Sequence, residues 1–193
     1  MDEKTLINRL RAGDPKVVQN FVDQYQQLVL RTARGFVRNT EDARDITQDV
    51  FVDFLSNLHR FKGQSSLSTW IYRITVNRSL NFIRRAKKRT YLTIGSSVKQ
   101  DESIDLGEQL TDPTQKSPVD LLEQQDRARI LHQALESLPG NQRIAITLSE
   151  YEDLPYKEIA KVMKVTVSAV ESLIFRARRN LQKQLYECYK KTC

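Results

Sequence analysis

Residues Tyr156–Gln182 read YKEIAKVMKVTVSAVESLIFRARRNLQ, a spacing that predicts two helices joined by a tight turn. Ile159, Met163, Val165, Val170 and Leu173 recur at helical steps around Ala160. They fall where a helix-turn-helix requires buried apolar groups, and a small side chain is needed where the two helices cross at close to a right angle. Ser168, Ala169, Glu171, Ser172, Phe175, Arg176 and Arg179 are left for the outer face. Arginine donates to guanine edges or phosphates, glutamate accepts from cytosine N4, and an aromatic ring touches a thymine methyl, so this face suits a DNA groove. An amphipathic hairpin with a solvated charged face has the same spacing, and the stretch alone does not separate the two.

The rest of the chain is helical by the same criterion. Apolar residues recur at three- and four-residue steps almost throughout, with 6 Gly and 5 Pro to interrupt them in 193 residues. The expected class is all-α, with no strand pattern and no internal repeat. Expected helices run over Glu3 to Ala12, from Pro15 (capped by Asp14) to Val37, from an N-cap at Thr40 to His59, and from Ser66 or Ser68 to Arg89. Further helices are expected over Val119 to Leu138 and Gln142 to Glu150, ahead of the two in the opening stretch. Tyr91 to Pro118 carry Gly, Ser, Thr, Pro and acids without sustained periodicity, which reads as a flexible acidic linker between two small helical domains.

The formal net charge is +7, from 31 Lys+Arg against 24 Asp+Glu. That balance favours a polyanionic partner, nucleic acid or an anionic membrane surface, and its distribution is uneven. Arg84 to Arg89 read RRAKKR, whereas acids dominate from Gly95 to Asp126. No apolar run approaches the roughly 20 residues that span a bilayer, and MDEKTLINRL is too polar for a secretory signal. A cytoplasmic protein without membrane insertion is expected. Cys188 and Cys193 lie at the extreme C-terminus without further metal ligands beside them, and read as incidental thiols. His59 and His132 are isolated, so neither a catalytic triad nor a metal site is expected, and no cofactor.

Two stretches in the first half carry the remaining signal. Asp45, Gln48, Asp49 and Asp53 fall within an arc of about 140° on the third helix, opposite Val50, Phe51, Phe54, Leu55 and Leu58. An acidic stripe in a basic protein suits a protein partner, or is simply a solvated face. The fourth helix mixes aromatics, amides and arginines beside a Gly-containing loop, the combination that unpaired bases require. Trp70 alone suits a core. Tyr72, Arg73, Asn77, Asn81, Arg84 and Arg85 suit a core less well, because amides and guanidinium groups are costly to bury unpaired.

EDARDITQDVF, FKGQSSLSTWIYRITVNRSLNFIRR and LPYKEIAKVMKVTVSAVESLIFRARRNL, in that order across an acidic linker, resemble the extracytoplasmic-function group of bacterial sigma factors in the sigma-70 family. The likeness runs from LINRLRAGD to Leu181. It implies a promoter-specificity subunit of RNA polymerase with a sigma-two domain over residues 1–90, a linker over 91–118 and a sigma-four domain over 119–193. It also implies that Asp45, Gln48, Asp49 and Asp53 meet the beta-prime clamp helices of the core enzyme, whose beta flap is a further expected contact. Lys62, Gly63, Gln64, Ser65 and Ser66 would form a pocket for a base flipped from the minus-ten element. Trp70, Tyr72, Arg73, Asn77 and Asn81 would lie beside it, and Arg84, Arg85, Lys87 and Lys88 would hold phosphates. The outer face of the last helix would read the minus-thirty-five element, and the linker would thread toward the active-site and RNA-exit channels of the polymerase. A cognate anti-sigma factor is expected by analogy.

Three residues depart from the family pattern. Lys164 stands where members usually carry the turn Gly, and Glu171 and Leu173 stand where cations are usual. The helix-turn-helix is expected to persist with an altered minus-thirty-five preference. A free-standing helix-turn-helix regulator and a plain interaction module are the competing readings. Neither explains DITQDVF and TWIYRITVN together.

Overall fold

The computed structural model of the chain describes residues 3–93 and 118–192, with side chains omitted at 87–93, 118–125, 188, 189, 191 and 192. It is all-α among those residues. The helices are α1 (Glu3–Arg11), α2 (Pro15–Arg34), α3 (Thr40–Asn57), α4 (Leu67–Thr93), α5 (Pro118–Ser137), α6 (Gly140–Glu150), α7 (Tyr156–Met163) and α8 (Val167–Thr192), with a 3-10 turn at Leu58–Arg60 between α3 and α4. The acidic linker lies almost wholly outside the described residues.

Local chemistry sets most helix ends. Asp14 accepts from the backbone N–H groups of Lys16 and Val17, and Pro15 occupies the first position of α2, where its missing N–H costs nothing. Asn39, not Thr40, caps α3: its side chain accepts from Glu41 N at 2.8 Å, and Thr40 is the first helical residue. Ser66 caps α4, its hydroxyl accepting from Thr69 N at 3.2 Å. α2 stops at Arg34, short of Val37, because the chain turns over Gly35, with Phe36 and Val37 bonding back to the Ala33 carbonyl. α3 stops at Asn57, short of His59. The tighter turn that follows is held by Arg11, which donates to the carbonyls of Leu58 and Phe61.

Helices α1 to α4 close over a first core. Phe21 stacks on Phe54 at 4.5 Å between ring centroids, among the fully buried Val50, Leu58 and Ile71. Helices α5 to α8 build a second core from Leu148, Ile159, Val170 and Ile174, all buried. Phe36, Tyr72 and Val76, from the first half of the chain, belong to this second cluster. The two halves therefore pack directly on each other, chiefly through α4 against α7 and through the end of α2 against α6.

Candidate nucleic-acid and polymerase interfaces

The helix-turn-helix forms from α7 and α8. Lys164 ends α7 with φ 57° and ψ 46°, the left-handed conformation that Gly adopts without strain, and a backbone N–H at this cap returns to the Ala160 carbonyl. The turn therefore survives the loss of Gly. Thr166 opens α8 by accepting from Ala169 N at 3.2 Å. Ile159, Ala160 and Val170 are buried, and Met163 packs at the margin of the core. Val165 differs from expectation: it sits in the turn itself and is 40% exposed. Leu173 packs against the second core, as its helical spacing predicts, and leaves the outer face to others.

That outer face is open. Ser168, Glu171, Ser172, Arg176 and Arg179 are exposed, Ala169 is half-buried, and Phe175 stands 69% exposed. None of these residues touches the first half of the chain in any hydrogen bond or ion pair described. Arg178, one step round, pairs with Glu150 of α6 at 2.8 Å, so it braces the fold. An exposed aromatic beside two arginines is a surface able to enter a groove and hold phosphates.

On α3, Asp45, Gln48 and Asp49 are exposed, whereas Asp53 turns to α4, where Arg78 clasps it with two guanidinium nitrogens. Arg78 also approaches Asp49 at 3.5 Å. Sequence reasoning missed Val52, which lies at the middle of the acidic arc and is 64% exposed. An apolar group ringed by acids suits a protein surface and not a phosphate backbone. Beside it, Asp45, Ile46, Gln48, Asp49, Phe82 and Arg85 line a groove of ≈ 340 Å³ between α3 and α4.

The loop before α4 is open, with Lys62, Gly63, Gln64 and Ser66 exposed and Ser65 half-buried. Gly63 has φ +69°, a conformation that favours Gly. The residues of α4 divide. Trp70 packs into the first core, its ring 4.7 Å from Phe54 and 4.9 Å from Phe61, so it supports the loop from below. Asn77, Asn81, Arg84 and Arg85 are exposed, while the side chains of Lys87 and Lys88 lie outside the described residues. Tyr72 is buried between the two halves, donating to Glu152 at 3.0 Å, and burial pushes its phenol above the usual range. Arg73 donates to the carbonyls of Lys161 and Val162 in the last turn of α7, where a cation meets the negative end of the helix.

These arrangements match known proteins in the same order. Residues 21–89 match the family described as Sigma-70 region 2, and residues 128–181 match Sigma-70, region 4. The RNA polymerase sigma-H factor of Pseudomonas aeruginosa is 32% identical over 183 residues, covering 95% of this chain and 93% of its own length. The ECF RNA polymerase sigma-E factor of Escherichia coli K12 is 31% identical over 185 residues, covering 96% of this chain and 95% of its own. The chain belongs to the extracytoplasmic-function group of the sigma-70 family. It is an alternative sigma factor that directs transcription initiation.

Among solved structures, this sigma factor shares its fold with CnrH in complex with the cytosolic domain of CnrY, at TM-score 0.65 and 22% identity over 96% of this chain and 97% of that one. It also shares it with the sigma factor RpoE in complex with the anti-sigma factor NepR from Bartonella quintana, at TM-score 0.59 and 20% identity over 87% of this chain and 96% of that one. No helix among its described residues is long and apolar enough to cross a membrane.

Proposed function

We propose that this sigma factor binds core RNA polymerase through the exposed acidic face of α3, reads the minus-thirty-five element with α8, and captures the minus-ten strand with the loop before α4 and with α4 itself. The observation that carries the reading is the separation of surfaces. Acids surround an apolar Val52 on α3, while the exposed outer face of α8 offers Arg176 and Arg179 beside Phe175. The first suits a protein, the second a polyanion.

In this reading Asp45, Gln48 and Asp49, with Val52 at their centre, meet the beta-prime clamp helices, and the sigma-four domain meets the beta flap. Asp53 acts by holding Arg78. Lys62, Gly63, Gln64, Ser65 and Ser66 receive a flipped base, whose unstacking costs a few kcal/mol that a pocket outside the duplex can offset. Asn77 and Asn81 hold separated bases, with Tyr72 and Arg73 beside them and Trp70 beneath. Arg84, Arg85, Lys87 and Lys88 hold phosphates. Ser168, Ala169, Glu171, Ser172, Phe175, Arg176 and Arg179 dock the duplex. Nucleotidyl transfer belongs to the polymerase, and the factor works in the cytoplasm with it. CnrH and the Bartonella RpoE bind partner polypeptides, and a cognate anti-sigma factor is proposed here by that analogy.

The test is reconstitution. Purified protein added to bacterial core polymerase should co-elute with it and start specific transcripts from fragments of the source genome. Failure to bind any core enzyme, including that of its own source, would overturn the reading. Within the assembled enzyme, Arg176→Ala should weaken promoter binding by roughly tenfold, a loss of one charge-assisted contact. Unchanged affinity for duplex carrying the minus-thirty-five element would remove Arg176 from the interface.

A further inference from the structure

Between Ser168 and Arg179, Glu171 is the one acid on the outer face of α8. Val167, Glu171 and Phe175 follow one another at four-residue steps and form a single row along the helix, which Arg179 continues. Ser168, Ser172 and Arg176 form the next row. Val167 is 42% exposed and Phe175 69%, with the exposed Glu171 between them. The row stands clear of the seam at which the two halves of the chain meet, α4 against α7 and the end of α2 against α6. Glu171 makes no hydrogen bond or ion pair among the described residues. Two ordinary uses of a surface glutamate do not apply to it. It is the fifth residue of α8, beyond the first turn in which an acid complements the helix dipole. The positions three and four residues to either side are Val167, Ser168, Ile174 and Phe175, so no cation stands where an ion pair along the helix could form.

Chemistry limits what this carboxylate can meet. Inside a DNA groove it is repelled by the phosphates on both sides, so it lowers affinity for every duplex that does not offer it a donor. On the major-groove edge guanine shows two acceptors, and thymine an acceptor and a methyl group. Adenine sets its N6 donor beside the acceptor N7, which suits an amide and repels a second carboxylate oxygen. Cytosine shows the N4 donor alone. A cation at the same position would select guanine, so the reversed charge reverses the choice. Val167 and Phe175 lie one turn to either side, about 5.4 Å along the helix. Apolar groups at that distance suit thymine methyls within roughly two base steps of the cytosine.

We propose that Glu171 sets the minus-thirty-five preference of this factor by accepting from the N4 amino group of a cytosine, while Val167 and Phe175 pack on thymine methyl groups of the same strand to either side. The proposal rests on the assignment of the outer face of α8 to that duplex. Two consequences separate this role from that of a solvated surface charge. Removing the carboxylate erases one base preference and raises affinity for duplexes that lack the cytosine, because the repulsion goes with it. Glutamine keeps the shape of the side chain and gains a donor, which suits adenine N6 and N7, so the preference moves to another base and does not vanish.

The test is a selection. Holoenzyme reconstituted from this chain and core polymerase is presented with duplexes randomised across the minus-thirty-five segment. The bound sequences are compared for the native chain, Glu171→Ala, Glu171→Gln and Arg176→Ala. Circular dichroism checks helix content, which substitutions at these exposed positions should leave intact. The native chain is expected to favour cytosine about tenfold at one position, Glu171→Ala to show no preference there, and Glu171→Gln to favour adenine there. Cytosine selected equally by the native chain and by Glu171→Ala, or no cytosine position in the native selection, would overturn the proposal. Arg176→Ala separates that failure from a failure of the underlying reading. Sequences altered by Arg176→Ala but not by Glu171→Ala keep α8 on the duplex and remove Glu171 alone. Sequences unaltered by every one of these substitutions remove α8 from the duplex, and both assignments with it.

Discussion

At the scale of single residues, Lys164 is the clearest conflict between a side chain and its backbone. A non-glycine residue in the left-handed region costs roughly 1 kcal/mol, and Lys164 carries that cost at φ 57°. Lys164→Gly is therefore expected to stabilise the second half by up to about 1 kcal/mol, read as a shift of the urea midpoint at unchanged slope. His132 offers a second measurement. Burial, reinforced by the guanidinium groups of Arg143 and Arg38, lowers its pKa from 6.5 to about 4. Between those values the unfolded chain binds a proton that the folded chain does not, so stability falls as pH drops from 6.5 toward 4. The slope should be on the order of 1 kcal/mol per pH unit. His132→Gln should flatten it, as urea titrations at a series of pH values would show. The position of Lys164 was readable as the turn of a helix-turn-helix. The neutrality of His132 was not, because the guanidinium groups that act on it come from the connection between α2 and α3, remote in sequence, and from α6.

At the scale of elements, helical periodicity placed the buried and exposed faces of α3 and α8 with few errors, because each turn reports on itself. It divided α8 into Val170 and Leu173 within and Ser172, Arg176 and Arg179 without. It failed where an element's end or edge depends on a neighbour. Val165 projects from the turn, and Asp53 turns toward Arg78. Val52 is the most informative of these cases, since an apolar residue at the centre of an acidic stripe has no value to the fold. Val52→Asp should leave stability within about 0.5 kcal/mol while weakening core-polymerase binding by roughly tenfold. Surface plasmon resonance with immobilised core enzyme would check the second, and thermal unfolding the first.

At the scale of the whole molecule, the second core is shared across the seam. Phe36 is fully buried yet belongs by sequence to the first half and by packing to the second. Phe36→Ala, which deletes a buried ring worth about 3–5 kcal/mol, should loosen the docking of the two halves more than it loosens either one. Calorimetry would then resolve two unfolding transitions where the native chain shows one. A single transition merely displaced to lower temperature would mean that the halves remain coupled without Phe36.

What the sequence determined by itself was the helical class, the two-part organisation, the helix-turn-helix and the outward faces of α3 and α8. These follow from local spacing, capping residues such as Asp14 and Ser66, and charge, all of which act within a few turns. Tertiary structure alone decided that Glu152 would be buried against Arg31 and Tyr72, that Gly35 would meet Thr147, and that Arg73 would cap α7. Periodicity assigns a residue to a face. It carries no information about which surface, 80 to 121 residues away, will come to lie on that face, because that depends on the shapes and charges of two finished domains.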